Sequence, residues 1–377
     1  MQKIRNRERG TANSLRVLIA GGGTGGHVIP ALAIARELRD AHNAEVRFVG
    51  TARGLESRLV PEAGFPLDLV RSGQLKNVSV ATRLRTTIDL PLGVVECMHL
   101  LREFRPHAVV GVGGYASGPG MLAALVLRVP TLAFEPNAVP GLANRLVGRW
   151  VAAAAVNFTQ SQSYFRNVRV TGIPVRADFF SIAPKVASTP PRLLVFGGSQ
   201  GARVFNEAMP RTARRLLDQF GSLEIVHQTG ARAAEETVQA YARAGMAGEQ
   251  DAGRLRVQAY LDRMPDEFAA ADLILCRSGA STMAELGAAG RASLLVPFAL
   301  AADDHQRRNA EAFCAAGAAR MLTEAQLADA DRLLDELVRL LVAPEELRAM
   351  GERARSLARP DAARQIATMV VDLARSA

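Results

Sequence analysis

Three glycine-rich stretches set out the chemistry open to this sequence. They are Gly21-Gly22-Gly23-Thr24-Gly25-Gly26-His27, Gly197-Gly198-Ser199-Gln200-Gly201-Ala202-Arg203 and Arg277-Ser278-Gly279-Ala280-Ser281-Thr282-Met283-Ala284-Glu285, each following a short apolar run and opening a helical pattern. Such turns leave backbone N–H groups exposed at a helix start, where unpaired amides and the positive end of the dipole receive a phosphate. His27, in the first turn, feels that same dipole, which disfavours the imidazolium and keeps a neutral imidazole near pH 7. That is the state needed to take a proton from a hydroxyl nucleophile. Glu285, one turn into the third helical segment, has the reach to hold both hydroxyls of a ribose. Plainer alternatives stay open: glycine turns that bind nothing, a helix-start histidine bonded only locally, and a capping box with Ser281 or Thr282 as cap.

The first stretch also spells GxGxxG, the dinucleotide-binding fingerprint. That fingerprint needs an acid at the end of the second strand, and EVRFVG runs instead into Thr51, Ala52 and Arg53, so an oxidoreductase is disfavoured. No Walker A lysine, HExxH or CxxC occurs. Asp303-Asp304-His305-Gln306 is too compact for a metal cluster and reads as a polar loop end facing sugar hydroxyls, and the DxD at Asp329 and Asp331 reads as helix-start charge. No metal is expected.

These residues need a scaffold that presents glycine turns at strand ends. Short apolar runs alternate with helical patterns along the whole chain, the mark of an α/β protein with parallel sheets. LRVLIA, EVRFVG, HAVVGVGG, PTLAFE and WVAAAAV read as strands of one doubly wound domain. After a break near residues 175–190 the plan restarts, with PRLLVFGGSQGARVFNEAM echoing SLRVLIAGGGTGGHVIPALAIA. The expected architecture is two doubly wound sheets facing across a cleft lined by the carboxyl ends of strands. The divisions expected are a basic extension over 1–14, an N-terminal acceptor and membrane domain over 15–175, a linker over 176–190, a C-terminal nucleotide-binding domain over 191–355, and a C-terminal helix over 356–377 packing back on the first domain.

Composition agrees with two cores: 377 residues, 49% hydrophobic and 22% charged. Cys97, Cys276 and Cys314 fit neither a metal site nor a disulfide framework, which points to a reduced, cytoplasmic setting. The apolar run after the charged start is too short for a signal peptide. No stretch matches the roughly 18–20 apolar residues of a membrane span, since PGMLAALVLRVPTLAF is cut by Arg128 and Pro130. A net charge of +9 favours an anionic partner, but with 5% aromatics and scattered basic residues nucleic acid is a poor fit. Anionic lipid and phosphorylated small molecules both suit it.

At these residues the chain resembles glycosyltransferase family 28, the bacterial peptidoglycan enzymes that add N-acetylglucosamine to an undecaprenyl-diphosphate-linked muramyl pentapeptide. The resemblance runs from about Leu15 to near the end. Its motifs recur in order: GGTGGH at 22–27, GGYASGP at 113–119, GGSQGA at 197–202, CRSGA and STMAE over 276–285, VPF at 296–298, and HQxxNA from His305 to Ala310. It implies the GT-B fold, two Rossmann-like domains. It implies UDP-GlcNAc as donor, without a required cofactor, held by Arg176, Ser199, the main chain at Leu261, the stretch Ala280, Ser281, Thr282, Met283, Ala284 and Glu285, and Gln306, with His305 less securely placed. Thr24, Gly25, Gly26 and Asn137 would approach the sugar. Gly113, Gly114, Tyr115 and Ser117, with Glu135, would seat the acceptor.

The resemblance further implies that His27 serves as base, that the muramyl C4 hydroxyl attacks the anomeric carbon, and that UDP leaves with inversion. The retaining E-x7-E pattern is missing, because Ser293 stands eight residues after Glu285. Two loops depart from the family: Phe134-Glu135-Pro136-Asn137 stands for HEQN and Gly172-Ile173-Pro174-Val175-Arg176 for GNPVR. Implied partners are UDP-GlcNAc, the lipid-linked acceptor, anionic membrane lipid, and proteins of the cell-wall or division machinery, with no nucleic acid. The implied location is peripheral, on the cytoplasmic face of the bacterial plasma membrane. Lys76 to Leu101, joining Lys76, Arg83 and Arg85 to Leu90, Leu92, Val94 and Val95, reads either as a lipid-facing segment or as a core helix with a basic flank. Two other classes share parts of this pattern: a UDP-GlcNAc 2-epimerase and a silent nucleotide-sugar-binding protein.

Overall fold

The computed structural model describes residues 14–72, 80–186, 190–246, 253–301 and 304–376, and of 80–88 the backbone alone. Residues 1–13 of the expected extension, Lys76, the side chains of Arg83 and Arg85, and Asp303 lie outside the described residues. In chain order the elements are β1 (Arg16–Ala20), α1 (Gly25–His42), β2 (Glu45–Gly50), α2 (Glu56–Glu62), β3 (Leu67–Leu69), α3 (Val80–Phe104), β4 (Ala108–Gly111), α4 (Ser117–Val126), β5 (Thr131–Glu135), α5 (Leu142–Val147), β6 (Ala153–Val156) and β7 (Val168–Val170). There follow α6 (Ala177–Phe180), β8 (Arg192–Phe196), α7 (Arg203–Gln219), β9 (Glu224–Gln228), α8 (Ala234–Arg243), β10 (Leu255–Gln258), α9 (Met264–Ala270), β11 (Leu273–Cys276), α10 (Ala280–Ala289) and β12 (Ser293–Leu295). The chain closes with α11 (His305–Ala315), β13 (Arg320–Met321), α12 (Glu324–Ala328), α13 (Ala330–Leu341), α14 (Pro344–Ser356) and α15 (Ala362–Arg375).

Two compact units result. The first is Met1–Pro136, Pro140–Pro174 and Asp361–Ala377, and the second is Asn137–Val139 and Val175–Pro360. Every strand pair is parallel. That explains why β1, β4, β8 and β11 read as continuous apolar runs, since helices cover both faces of a parallel sheet. Strand order is β3-β2-β1-β4-β5-β6-β7 in one sheet and β10-β9-β8-β11-β12-β13 in the other. In each, the winding reverses direction once, between β1 and β4 or between β8 and β11. Ligands of open α/β sheets bind at that switch point, outside the carboxyl ends of the flanking strands.

In the first unit, Cys97, Leu101 and Phe104 of α3 and Met121 of α4 pack with Leu18, Val109 and Ala133 of the sheet. Helix α15 lies against α1, β4 and β5, burying Ile366, Ala367 and Val370. The core of the second unit gathers Leu193, Val195, Phe205, Met209, Tyr241, Leu333 and Leu337.

Two stretches depart from the simple division at residue 175. Asn137–Val139 group with the second unit although they follow β5. Over its described part, the segment expected as a linker is packed into the second unit: Phe179 is fully buried and stands edge-on to Phe268 at 5.1 Å. The pair Phe179-Phe180 carries enough apolar surface to make order favourable there. In helix α3 Cys97, Leu100, Leu101 and Phe104 are buried, as a core-facing helix requires, while Leu92 and Val95 are exposed. Among the described residues no helix is long and apolar enough to cross a membrane.

Candidate active site

In the first unit the loops after β1 and β4 meet glycine to glycine. Gly22 N donates to Gly113 O at 3.2 Å. A Cβ on Gly114, whose φ is +80°, would lie 2.0 Å from Gly22 O, so this approach admits no side chain. Thr24, extended, is the N-cap of α1, placing Gly25, Gly26 and His27 in its first turn. His27 Nδ1 lies 3.2 Å from Thr24 Oγ1. The ring lies against Gly113, where an added Cβ would come within 2.9 Å of Cδ2 and 3.0 Å of Nε2. When Nδ1–H donates to the threonine hydroxyl, Nε2 carries the lone pair of a base.

From the second loop, Tyr115 is exposed, and its carbonyl accepts from Ser72 Oγ at 2.6 Å. Ser117, first residue of α4, is fully buried, and its Oγ has no hydrogen-bond partner among the described residues. Glu135 is also buried, and its carboxylate accepts from Gly141 N and Asn144 Nδ2, each at 3.0 Å. It therefore frames its own loop. The departures at Phe134 and Ile173 are core side chains, 0% and 2% exposed, which accounts for their apolar character. One residue of this site was not singled out from the sequence: Glu56, 1% exposed, accepts from Gly23 N at 2.6 Å. The signal was available in an acid flanked by the glycine of Arg53-Gly54-Leu55-Glu56, but it lies six residues beyond the strand end.

In the second unit the loops after β8 and β11 flank the other switch point. A Cβ on Gly201, at φ +70°, would lie 1.8 Å from Thr229 O, and Gln228 Nε2 donates to Gly198 O at 3.0 Å. Ser199 is exposed at the loop's tip. Residues 197–201 also spell GxSxG, but the loop between β8 and α7 spans six residues, unlike the sharp strand-to-helix elbow that a nucleophilic serine occupies. Helix α10 is capped by Gly279 without a side-chain bond, so Ser281 and Thr282 form no capping box. Ser281 Oγ is buried and has no hydrogen-bond partner among the described residues. Ala280 and Met283 are buried, Thr282 and Ala284 half-buried.

Burial pushes the Glu285 carboxyl up to about 7, with the Arg176 guanidinium pulling the other way. Arg176 is exposed, lies over the Phe179 ring at 5.2 Å, and lines a cavity of about 450 Å³ with Asp178, Asp262 and Arg263. Leu261, after β10, is buried. Gln306 Oε1 accepts from Phe298 N at 3.0 Å, which fixes its carboxamide, and its carbonyl accepts from Ser278 Oγ at 2.8 Å. His305 opens α11 directly after Asp304, which adopts φ +54°. Asn309, within a recognised motif but without an assigned role, proves central. Its Oδ1 accepts from Ala138 N at 2.9 Å, and its Nδ2 donates to Ser278 O at 3.2 Å and Asn137 Oδ1 at 3.3 Å. These bonds hold Asn137 beside α11 and the loop that opens α10.

Among the described residues no three His, Cys, Asp or Glu side chains are grouped to hold a metal ion. Asp329 caps α13, accepting from Asp331 N and Arg332 N.

Comparison with known proteins bears on both units. The glycosyltransferase family 28 N-terminal domain matches residues 17–156 and the family 28 C-terminal domain residues 192–366. A protein of Solibacter usitatus named UDP-N-acetylglucosamine--N-acetylmuramyl-(pentapeptide) pyrophosphoryl-undecaprenol N-acetylglucosamine transferase is 44% identical, over 95% of this chain and 96% of its own. One of the same name from Stutzerimonas stutzeri is 42% identical over 95% and 98%. The crystal structure of Acinetobacter baumannii MurG superposes with a TM-score of 0.77 at 30% identity, over 95% of this chain and 99% of that one. A putative UDP-N-acetylglucosamine 2-epimerase from Listeria monocytogenes shares the fold, with a TM-score of 0.69 at 14% identity.

Proposed function

The chain belongs to glycosyltransferase family 28, and we propose that its two units divide one transfer between them, the second holding the donor and the first the acceptor. The reaction is that of its relatives: N-acetylglucosamine passes from UDP-GlcNAc to the undecaprenyl-diphosphate-linked muramyl pentapeptide, lipid I, giving lipid II. One observation carries the division of labour. Each unit has, at its own switch point, a helix start with a buried serine hydroxyl lacking a partner, Ser117 on α4 and Ser281 on α10. A partnerless buried hydroxyl is unfavourable unless a ligand completes it. The reaction has two diphosphate-bearing substrates, and the described residues offer two such cradles.

In this reading UDP-GlcNAc lies along the second unit. Its uracil is at the main chain of Leu261, its ribose on Glu285, its diphosphate at Ser199, Arg176 and the α10 amides of residues 280–284, and its sugar at Gln306 and Asn137. The acceptor diphosphate is at Gly113, Gly114 and Ser117, beside Tyr115. The muramyl C4 oxygen attacks the anomeric carbon as its proton passes to His27 Nε2. The bond from that carbon to the β-phosphate oxygen breaks with its electron pair, and UDP leaves. Attack opposite the leaving group inverts the centre. Arg176 and the helix-start amides stabilise the charge growing on UDP. Thr24 fixes the imidazole, and Gly25 and Gly26 keep the approach to it open.

The acceptor is a membrane lipid, and we assign the cytoplasmic membrane surface to the first unit through α3. Leu92 and Val95 are exposed there, and Lys76, Arg83 and Arg85 stand in the preceding sequence. Transfer of labelled N-acetylglucosamine to a short-chain lipid I analogue tests the function. Acceptor-dependent product and UDP release support it. Conversion of UDP-GlcNAc to its 2-epimer without acceptor points to an epimerase, and donor binding with neither activity points to a binding module.

A further inference from the structure

The first glycine loop is usually where a doubly wound domain meets a ligand's phosphate, because its amides are unpaired. Here the amides of residues 21–23 are already taken: Gly21 N donates to Val49 O at 3.1 Å, Gly22 N to Gly113 O at 3.2 Å, and Gly23 N to a buried carboxylate. Glu56 Oε2 accepts from Gly23 N at 2.6 Å, while Oε1 accepts from Thr51 N and Thr51 Oγ1, both at 2.9 Å. The carboxylate is 1% exposed, and three glycines enclose it. An added Cβ would lie 2.3 Å from Cδ on Gly22, 2.4 Å from Cγ on Gly50 and 1.9 Å from Oε2 on Gly54. The pocket is shaped to this side chain, and none of those three positions tolerates more than hydrogen. Leu55 N closes it by donating to Gly23 O at 3.3 Å.

We propose that Glu56 is a positioning residue for the transfer: it is an internal anion that occupies the amide cradle of the first glycine loop and locks residues 21–24 so that Thr24 and His27 are set. The proposal rests on the reading of His27 as the base. It also explains how a GxGxxG loop serves an enzyme without a dinucleotide: the chain's own carboxylate holds the amide that a cofactor phosphate would otherwise take, which leaves the acceptor diphosphate to the second loop.

Both carboxylate oxygens accept from backbone N–H groups, so a carboxamide of the same shape satisfies only one of the two sides. Glu56→Gln therefore lowers kcat by at least about tenfold, the scale of a small misplacement of a catalytic group, while UDP-GlcNAc affinity, a property of the other unit, is unchanged. Glu56→Ala loses more, and added formate partly restores kcat by refilling the cradle. Wild-type kcat in Glu56→Gln overturns the proposal. So does a loss that tracks the folded fraction and is not rescued by formate. If Glu56→Ala fails to fold, the isosteric Gln variant decides. If the wild type shows no acceptor-dependent transfer, the functional reading has failed instead. Exchange of the Gly23 amide hydrogen, faster in Glu56→Gln if the lock is real and unchanged if it is not, then still decides the proposal.

Discussion

In the proposed function Glu285 holds the donor's ribose, and burial sets the protonation state in which it would do so. Its carboxyl is pushed up to about 7 because desolvation disfavours the charge. Ribose hydroxyls donate to a carboxylate, so the donor binds the ionised form and releases a proton when the group was neutral. UDP-GlcNAc affinity should fall by up to about tenfold between pH 7.5 and 6, and the dependence should vanish in Glu285→Gln, which binds more weakly throughout. Calorimetry in buffers of different ionisation enthalpy checks both the affinity and the proton release. The stability linkage has the opposite sign: a folded-state pKa above the free value contributes stability at low pH that is lost as pH rises through about 7.

The elements that matter most are the four loops at the two switch points, and their glycines answer to sterics before chemistry. Gly113, at φ +86°, is where the His27 ring rests. Gly113→Ala adds a methyl group 2.9 Å from Cδ2 in a strained backbone, so kcat should drop by roughly 10- to 100-fold with donor affinity unchanged. Steady-state kinetics beside a donor titration read both. This is also the scale at which the sequence was most and least legible. Strands β1, β4, β8 and β11 announce themselves because parallel strands buried on both faces are nearly unbroken apolar runs. The edge strands β3, β7 and β13 did not, being two or three residues long and partly exposed. The glycine loops were visible as patterns, and His27, Ser281 and Glu285 as residues within them. Glu56 and Asn309 were not, because what defines them is a set of backbone donors and acceptors distant in sequence. No residue type signals that Gly23 N or Ala138 N lacks another partner.

On the scale of the whole molecule the chain repeats one design twice, a doubly wound sheet with its ligand loops at the switch point. In the proposed function the repetition gives the two substrates separate seats. The first seat should also tie the protein to a surface. Replacing Arg83 and Arg85 by Glu should weaken binding to vesicles containing anionic lipid by about 1 kcal/mol per charge removed, with added salt weakening the wild type likewise. Flotation with anionic and neutral vesicles measures it, and unchanged binding removes this segment from the account. The central claim is that base and donor belong to different units, so that one can be lost without the other. The most direct measurement is His27→Ala assayed for transfer to a lipid I analogue and, in parallel, titrated with UDP-GlcNAc. The account predicts a kcat lower by about 10²- to 10⁴-fold with donor affinity at the wild-type value. A variant that transfers at the wild-type rate, or one that loses donor affinity in proportion to its activity, would contradict it.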